Sequence, residues 1–135
     1  MTDKELLLMA IEARKFAYAP YSNHKVGAAL LGKSGKVYIG CNVENAAYTP
    51  TSCAERTALF KAVSEGEVEF EAIAVVGGLG ENLSEICAPC GVCRQVLAEF
   101  CDKDFKVILG TEDNITVTTL GELLPYSFGK VDLKK

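Results

Sequence analysis

Two short stretches constrain this chain more than any others: Cys53-Ala54-Glu55-Arg56 and Pro89-Cys90-Gly91-Val92-Cys93. Three thiols and a carboxylate, split between two segments, have the composition of a metal centre with an acid/base beside it. Zinc in a catalytic site takes three protein ligands and keeps a fourth position for water, whereas a closed structural site takes four. The only histidine, His24, is far from both stretches in sequence. Cys53, Cys90 and Cys93 are therefore read as holding one zinc ion per chain, with Glu55 beside the water. A metal site of this kind ties two distant segments together, so any fold must bring residue 53 next to residue 90.

Each stretch opens a predicted helix. Ala54 to Val63 is rich in helix formers and meets no breaker before Gly66, a natural residue just past a helix end. Val92 to Phe100 reads the same way, with Pro89 at or just before the first turn. Cys90 and Cys93 are three apart, so their thiols share a helical face. Helix N-termini favour anions, and the thiolate is the form that binds metal. Three thiolates leave zinc with a net negative charge. Arg56 is placed to neutralise part of that excess by hydrogen-bonding a ligand sulfur.

At 135 residues the chain is read as one domain spanning 1–135, large enough to bury roughly 68% of the surface exposed when unfolded. A net charge of −4 argues against a nucleic-acid surface, which wants a basic stripe. The charged start Met1-Thr2-Asp3-Lys4-Glu5 lacks the layout of a secretory signal, and no apolar run approaches membrane-spanning length. No nucleic-acid or membrane partner is expected, and a cytoplasmic location is. With six cysteines and no secretory signal, metal binding is a better reading than a disulfide framework. Cys41 and Cys101 read as small buried residues. Cys87 is read as a bystander to the metal set, with a redox-sensitive neighbour as the alternative.

Thr2 and Glu5 form a capping box, after which Leu6, Met9, Ala10, Ala13, Phe16 and Ala17 repeat at helical spacing until Pro20. Val26–Leu31 and Val37–Cys41 read as two strands around a turn at 32–36. The run Gly27-Ala28-Ala29-Leu30-Leu31-Gly32-Lys33-Ser34 matches a phosphate-loop pattern. Such a loop must follow a strand and lead into a helix; here the middle is apolar and the run continues into a second strand, so the match is put down to chance. Glu71–Val76, followed by a glycine-rich loop at 77–80, then Phe105–Leu109 and Ile115–Thr118 complete five strands. Leu120–Leu124 reads as a helical turn and the tail after Phe128 as frayed. Strands interleaved with helices point to an α/β fold, a three-layer α/β/α sandwich on a mixed five-stranded sheet. Asn42 and Glu44, just past the second strand, are candidates for holding sugar hydroxyls, because an amide and a carboxylate suit a diol.

A cysteine two residues before glutamate, followed downstream by Pro-Cys-x-x-Cys, is the pattern of zinc-dependent nucleobase deaminases. Asn42-Val43-Glu44-Asn45-Ala46-Ala47-Tyr48, Cys53-Ala54-Glu55-Arg56-Thr57-Ala58 and Pro89-Cys90-Gly91-Val92-Cys93-Arg94-Gln95 closely resemble the small homotetrameric cytidine deaminases. So do Pro20-Tyr21-Ser22, Val26-Gly27-Ala28-Ala29-Leu30 and Leu123-Leu124-Pro125. This resemblance implies hydrolytic deamination of cytidine and deoxycytidine to the uracil nucleosides and ammonia, a step of pyrimidine salvage. It implies Glu55 as the proton shuttle, with Asn42 and Glu44 on the ribose. The Ala54 N–H is implied on the base carbonyl, and Tyr48 among the substrate contacts. It further implies a homotetramer with Phe128 reaching a neighbouring subunit's pocket. His24 stands where such relatives place a phenylalanine; stacking on the base is expected there, with altered affinity rather than altered chemistry. Deaminases of other cytosine nucleosides, such as blasticidin S, share the metal motifs; Asn42, Glu44 and Phe128 favour the plain nucleoside. A non-catalytic zinc module would leave Glu55 idle, and a redox dithiol built on Cys87, Cys90 and Cys93 is the remaining alternative.

Overall fold

A computed structural model of the chain describes residues 1–134. The first helix, α1 (Asp3–Arg14), begins with the capping box: Glu5 N–H donates to Thr2 Oγ1 at 3.1 Å and Thr2 N–H to Glu5 Oε1 at 2.9 Å. It stops at Arg14, well short of Pro20, and Phe16 is 75% exposed instead of facing the core. Tertiary pairing explains the early stop. Tyr18 N–H donates to Asn42 O at 3.0 Å and Tyr18 bridges to Val43, which requires extended backbone there. The Arg14 guanidinium also turns inward at the helix end, donating to the carbonyls of Lys25, Gly78, Gly80 and Asn82.

Five strands follow: β1 (His24–Gly32), β2 (Val37–Cys41), β3 (Phe70–Leu79), β4 (Lys106–Thr111) and β5 (Asn114–Thr119). They form one sheet in the order β2-β1-β3-β4-β5. The β3/β4 pair is parallel and the other pairs antiparallel, so the sheet is mixed as expected. Successive residues on a strand face opposite sides. Ala29, Ala72, Ala74, Val76 and Ile108 pack on Leu6, Leu7 and Ala10 of α1. Their neighbours Ala28, Leu30, Ile73, Val75, Val107 and Leu109 form the other core with α2 (Ala54–Ser64) and α3 (Gly91–Phe100). Helices on both faces explain why the central strands read as nearly continuous apolar runs. The phosphate-loop lookalike is a hairpin: Gly32 N–H donates to Lys36 O at 2.9 Å and the chain returns as β2.

Two strand ends differ from expectation. Gly77 and Gly78, read as loop, lie inside β3 opposite Val26 and Lys25 of β1. Glycine serves there for close approach: a Cβ on Gly78 would stand 2.1 Å from Asn82 O, and one on Gly77 2.6 Å from Cys87 Sγ. The tail, expected to fray, instead forms α5 (Lys130–Leu133) behind α4 (Leu120–Leu123), with Gly129 N–H donating to Asp132 Oδ2 at 2.9 Å.

Candidate active site

The two helices on one face of the sheet carry the thiols at their N-termini. Cys53 is the N-cap of α2 and Cys90 the N-cap of α3, both in extended backbone; Cys93 sits one turn into α3. Each approach is pinned. Val43 and Ser52 pair through hydrogen bonds of 2.9 and 3.0 Å, which sets the path into Cys53. Pro89 is fully buried, and Arg94 clamps the start of α3 by donating to Pro89 O and Leu123 O, both at 2.7 Å. Below α2, a Cβ on Gly40 of β2 would stand 2.6 Å from Ala58 N and 2.7 Å from Ala54 O. Only a glycine lets the helix bearing Cys53 lie so close to the sheet.

The Cys53, Cys90 and Cys93 sulfurs lie within 4.8 Å of one another, and Cys53 Sγ is 3.6 Å from Cys90 Sγ. Two sulfurs bound tetrahedrally at ~2.3 Å from zinc stand about 3.8 Å apart, so the donor set fits that ion. Cys93 is buried, Cys53 partly buried and Cys90 exposed, which opens the group to solvent on the Cys90 side. Arg56 Nη2 reaches Cys53 Sγ at 3.5 Å and Thr51 O at 3.4 Å, while its buried Nε has no hydrogen-bond partner among the described residues. The Cys53 thiol is pulled down to about 5, first by the hydrogen bond from Cys93 and then by Arg56. Cys93 shifts upward, because its proton is held between the two sulfurs. Glu55 is 4% exposed, and burial pushes its carboxyl up to about 7, with the negative Cys53 thiolate adding to the shift. A carboxyl near neutrality beside a metal-ligand cluster can both take and give a proton.

The expected substrate residues divide into two groups. His24, Asn42 and Glu44 lie together along the start of β1. Glu44 accepts from Tyr21 N at 2.9 Å, Ser22 N at 3.2 Å and the Ser22 hydroxyl, and the last of these does most to hold its carboxyl below the usual range. Asn42 is buried and clamps β1, with Oδ1 accepting from Val26 N at 2.9 Å and Nδ2 donating to His24 O at 2.7 Å. Ala54 is fully buried at the first turn of α2, where the backbone N–H groups have no intrahelical acceptor. Tyr48 and Phe128 stand further out, 74% and 59% exposed. Tyr48 meets Tyr21 edge-on at 6.4 Å and joins Glu44 and Thr51 around a cleft of about 410 Å³. The Phe128 carbonyl accepts from Gln95 Nε2 at 2.8 Å, which ties the tail backbone to α3. Sequence reasoning missed three supports: Ser22 under Glu44, Gln95 under Phe128, and Cys87, whose sulfur lies 3.7 Å from His24 Nε2. Pro20-Tyr21-Ser22 was a visible turn signal, but its carboxylate partner lies more than twenty residues away.

The model for the cytidine and deoxycytidylate deaminase zinc-binding region matches residues 1–110. The chain belongs to the cytidine deaminase family. It is 51% identical over 133 residues to a cytidine deaminase of Halalkalibacterium halodurans, covering 97% of this chain and 98% of that one. The crystal structure of a cytidine deaminase from Burkholderia pseudomallei superposes with a TM-score of 0.87 at 50% identity, covering 95% of this chain and 100% of the other. A blasticidin-S deaminase of Bacillus cereus stands further off, at 29% identity over 93% of this chain and 91% of that one.

Proposed function

We propose that this chain is a zinc-dependent cytidine deaminase that hydrolyses cytidine and deoxycytidine to uridine and deoxyuridine with release of ammonia. One observation carries the proposal: a three-sulfur cluster with a buried carboxyl two residues from one ligand, poised near neutrality. Cys53, Cys90 and Cys93 would hold one zinc ion per chain. The chemistry zinc would supply there, when bound, is a water whose pKa falls from ~15.7 toward ~7. Glu55 would take the two protons of the attacking water in turn, passing the first to the ring N3 and the second to the departing amine. The bond from C4 to nitrogen breaks, and oxygen from the water replaces it. Arg56 offsets negative charge on the sulfurs, and the Ala54 N–H orients the base through its carbonyl. Glu44 and Asn42 hold the sugar, and His24 with Tyr48 lines the pocket.

The family's small members suggest a homotetramer, and two features of one subunit support that reading. Phe128 projects from a backbone held by Gln95, and Cys90 leaves the sulfur cluster open to solvent. An aromatic ring from the next subunit would close such a site and exclude water, which strengthens electrostatic stabilisation there. Six cysteines, all free, suit a reducing cytoplasm and a place in pyrimidine salvage.

Ultraviolet monitoring of cytidine, deoxycytidine and blasticidin S with the zinc-loaded protein tests the assignment. Loss of cytidine absorbance with ammonia release is expected. Turnover of blasticidin S without turnover of cytidine would overturn it.

A further inference from the structure

The chain's only histidine and the one thiol of the Cys87-Cys90-Cys93 series outside the metal set meet at 3.7 Å, His24 Nε2 to Cys87 Sγ. Several independent features hold them there. The Cys87 sulfur packs over Gly77 of β3, where any Cβ would stand 2.6 Å away. His24 is fixed through its backbone: its N–H donates to Ser22 Oγ at 3.0 Å and its carbonyl accepts from Asn42 Nδ2 at 2.7 Å. Ser22 and Asn42 are thus tied to the sugar-side residues, and Ser22 also holds Glu44. Cys87 belongs to the opposite side, three residues before Cys90, and feels the charges of Glu55 and Cys53. The imidazole is therefore suspended between the sugar-holding group and the metal-bearing segment.

We propose that Cys87 is a positioning residue for the base pocket: its thiol donates to His24 Nε2, fixing the ring's orientation and its tautomer with the proton on Nδ1. An imidazole nitrogen accepts hydrogen bonds better than a sulfur does, so between a neutral thiol and a neutral ring the S–H is the donor. The thiol stays neutral because burial pushes it up to about 11. Which ring nitrogen carries the proton follows from the bond the other one makes. With Nε2 engaged, His24 offers a substrate its ring face and an Nδ1–H donor. In the absence of Cys87 the ring would be free to turn and to move its proton to Nε2. The effect belongs to binding, since the hydrogen bond of the Cys87 sulfur goes to His24 and not to the sulfurs that would hold zinc.

The proposal rests on the deaminase reading for its kinetic consequence, but its spectroscopic consequence is independent. Zinc-loaded protein labelled with ¹⁵N in its one histidine gives a single imidazole signal pair. At pH 8, where an ordinary imidazole is neutral, the wild-type protein should show Nδ1–H with an unprotonated Nε2. Cys87→Ala should shift that tautomer balance and Cys87→Ser should restore it. Cys87→Ala should also raise KM for cytidine by about 2–10-fold, the range of one lost neutral hydrogen bond, with kcat and zinc content changed less. In a His24→Phe background the same substitution should add nothing, because the two residues act through one contact. An unchanged tautomer in Cys87→Ala, or an equal KM effect in the His24→Phe background, would overturn the proposal. Absence of cytidine turnover in the wild-type protein would instead overturn the deaminase reading and leave the tautomer result to decide this one.

Discussion

Arg56 touches the Cys53 sulfur with one nitrogen and a backbone carbonyl with the same group, from a side chain whose Nε is buried without a partner. A guanidinium in that position favours the thiolate of Cys53, whose pKa lies well below an ordinary thiol's. In Arg56→Ala the Cys53 thiol should titrate at higher pH, so protons should displace zinc at a higher pH than in the wild type. Zinc retained after dialysis at steps between pH 8 and pH 5 measures this directly. Retention curves that coincide would show that Arg56 has no hold on the metal site. Glu55 shows the opposite effect of burial, a carboxyl pushed up to about 7. The identities of both residues were legible from Cys-Ala-Glu-Arg alone. Their shifted acidities were not, because those depend on how deeply α2 sits against the sheet.

At the scale of elements, the site is two helix N-termini held over one face of a sheet. Gly40 sets the height of α2 above β2. Gly40→Ala should force the helix outward; overpacking of this kind typically costs ~1–3 kcal/mol. Because Cys53 begins α2, zinc affinity should fall together with stability, which a melting curve and a metal-competition assay on the same sample would show. Lower stability with undiminished zinc affinity would mean that the helix start is held independently of Gly40. The helix and strand centres were readable from periodicity, since both faces of β1, β3 and β4 are apolar and α1, α2 and α3 each have a clear start. The early end of α1, the extension of β3 through Gly77 and Gly78, and the helical tail were not. The first two depend on contacts remote in sequence, Tyr18 with Asn42 and Val43 and Gly77 with Cys87, whereas α5 starts on a local bond from Gly129 N–H to Asp132. Local pattern does not carry the remote contacts.

At the scale of the whole molecule, the single chain leaves its sulfur cluster open on one side. Phe128 is 59% exposed and Cys90 faces solvent. If sites are shared between subunits, Glu55→Gln and Phe128→Ala proteins that are dissociated, mixed and reassembled should regain activity above either parent, since hybrids unite an intact Glu55 with an intact Phe128. Hybrids that only average the parents would place Phe128 in its own subunit's site. Three cysteines and one glutamate are proposed to make this chain a zinc hydrolase of cytidine. The most direct test is a zinc titration of metal-stripped protein, followed by cytidine turnover. Activity should rise in proportion to added zinc and break at one ion per chain. Cys90→Ser should neither bind tightly nor gain activity, and Glu55→Gln should bind the same single ion while losing turnover by at least ~10²–10⁴-fold. Full turnover by the stripped protein, or near-wild-type turnover by zinc-loaded Glu55→Gln, would contradict it.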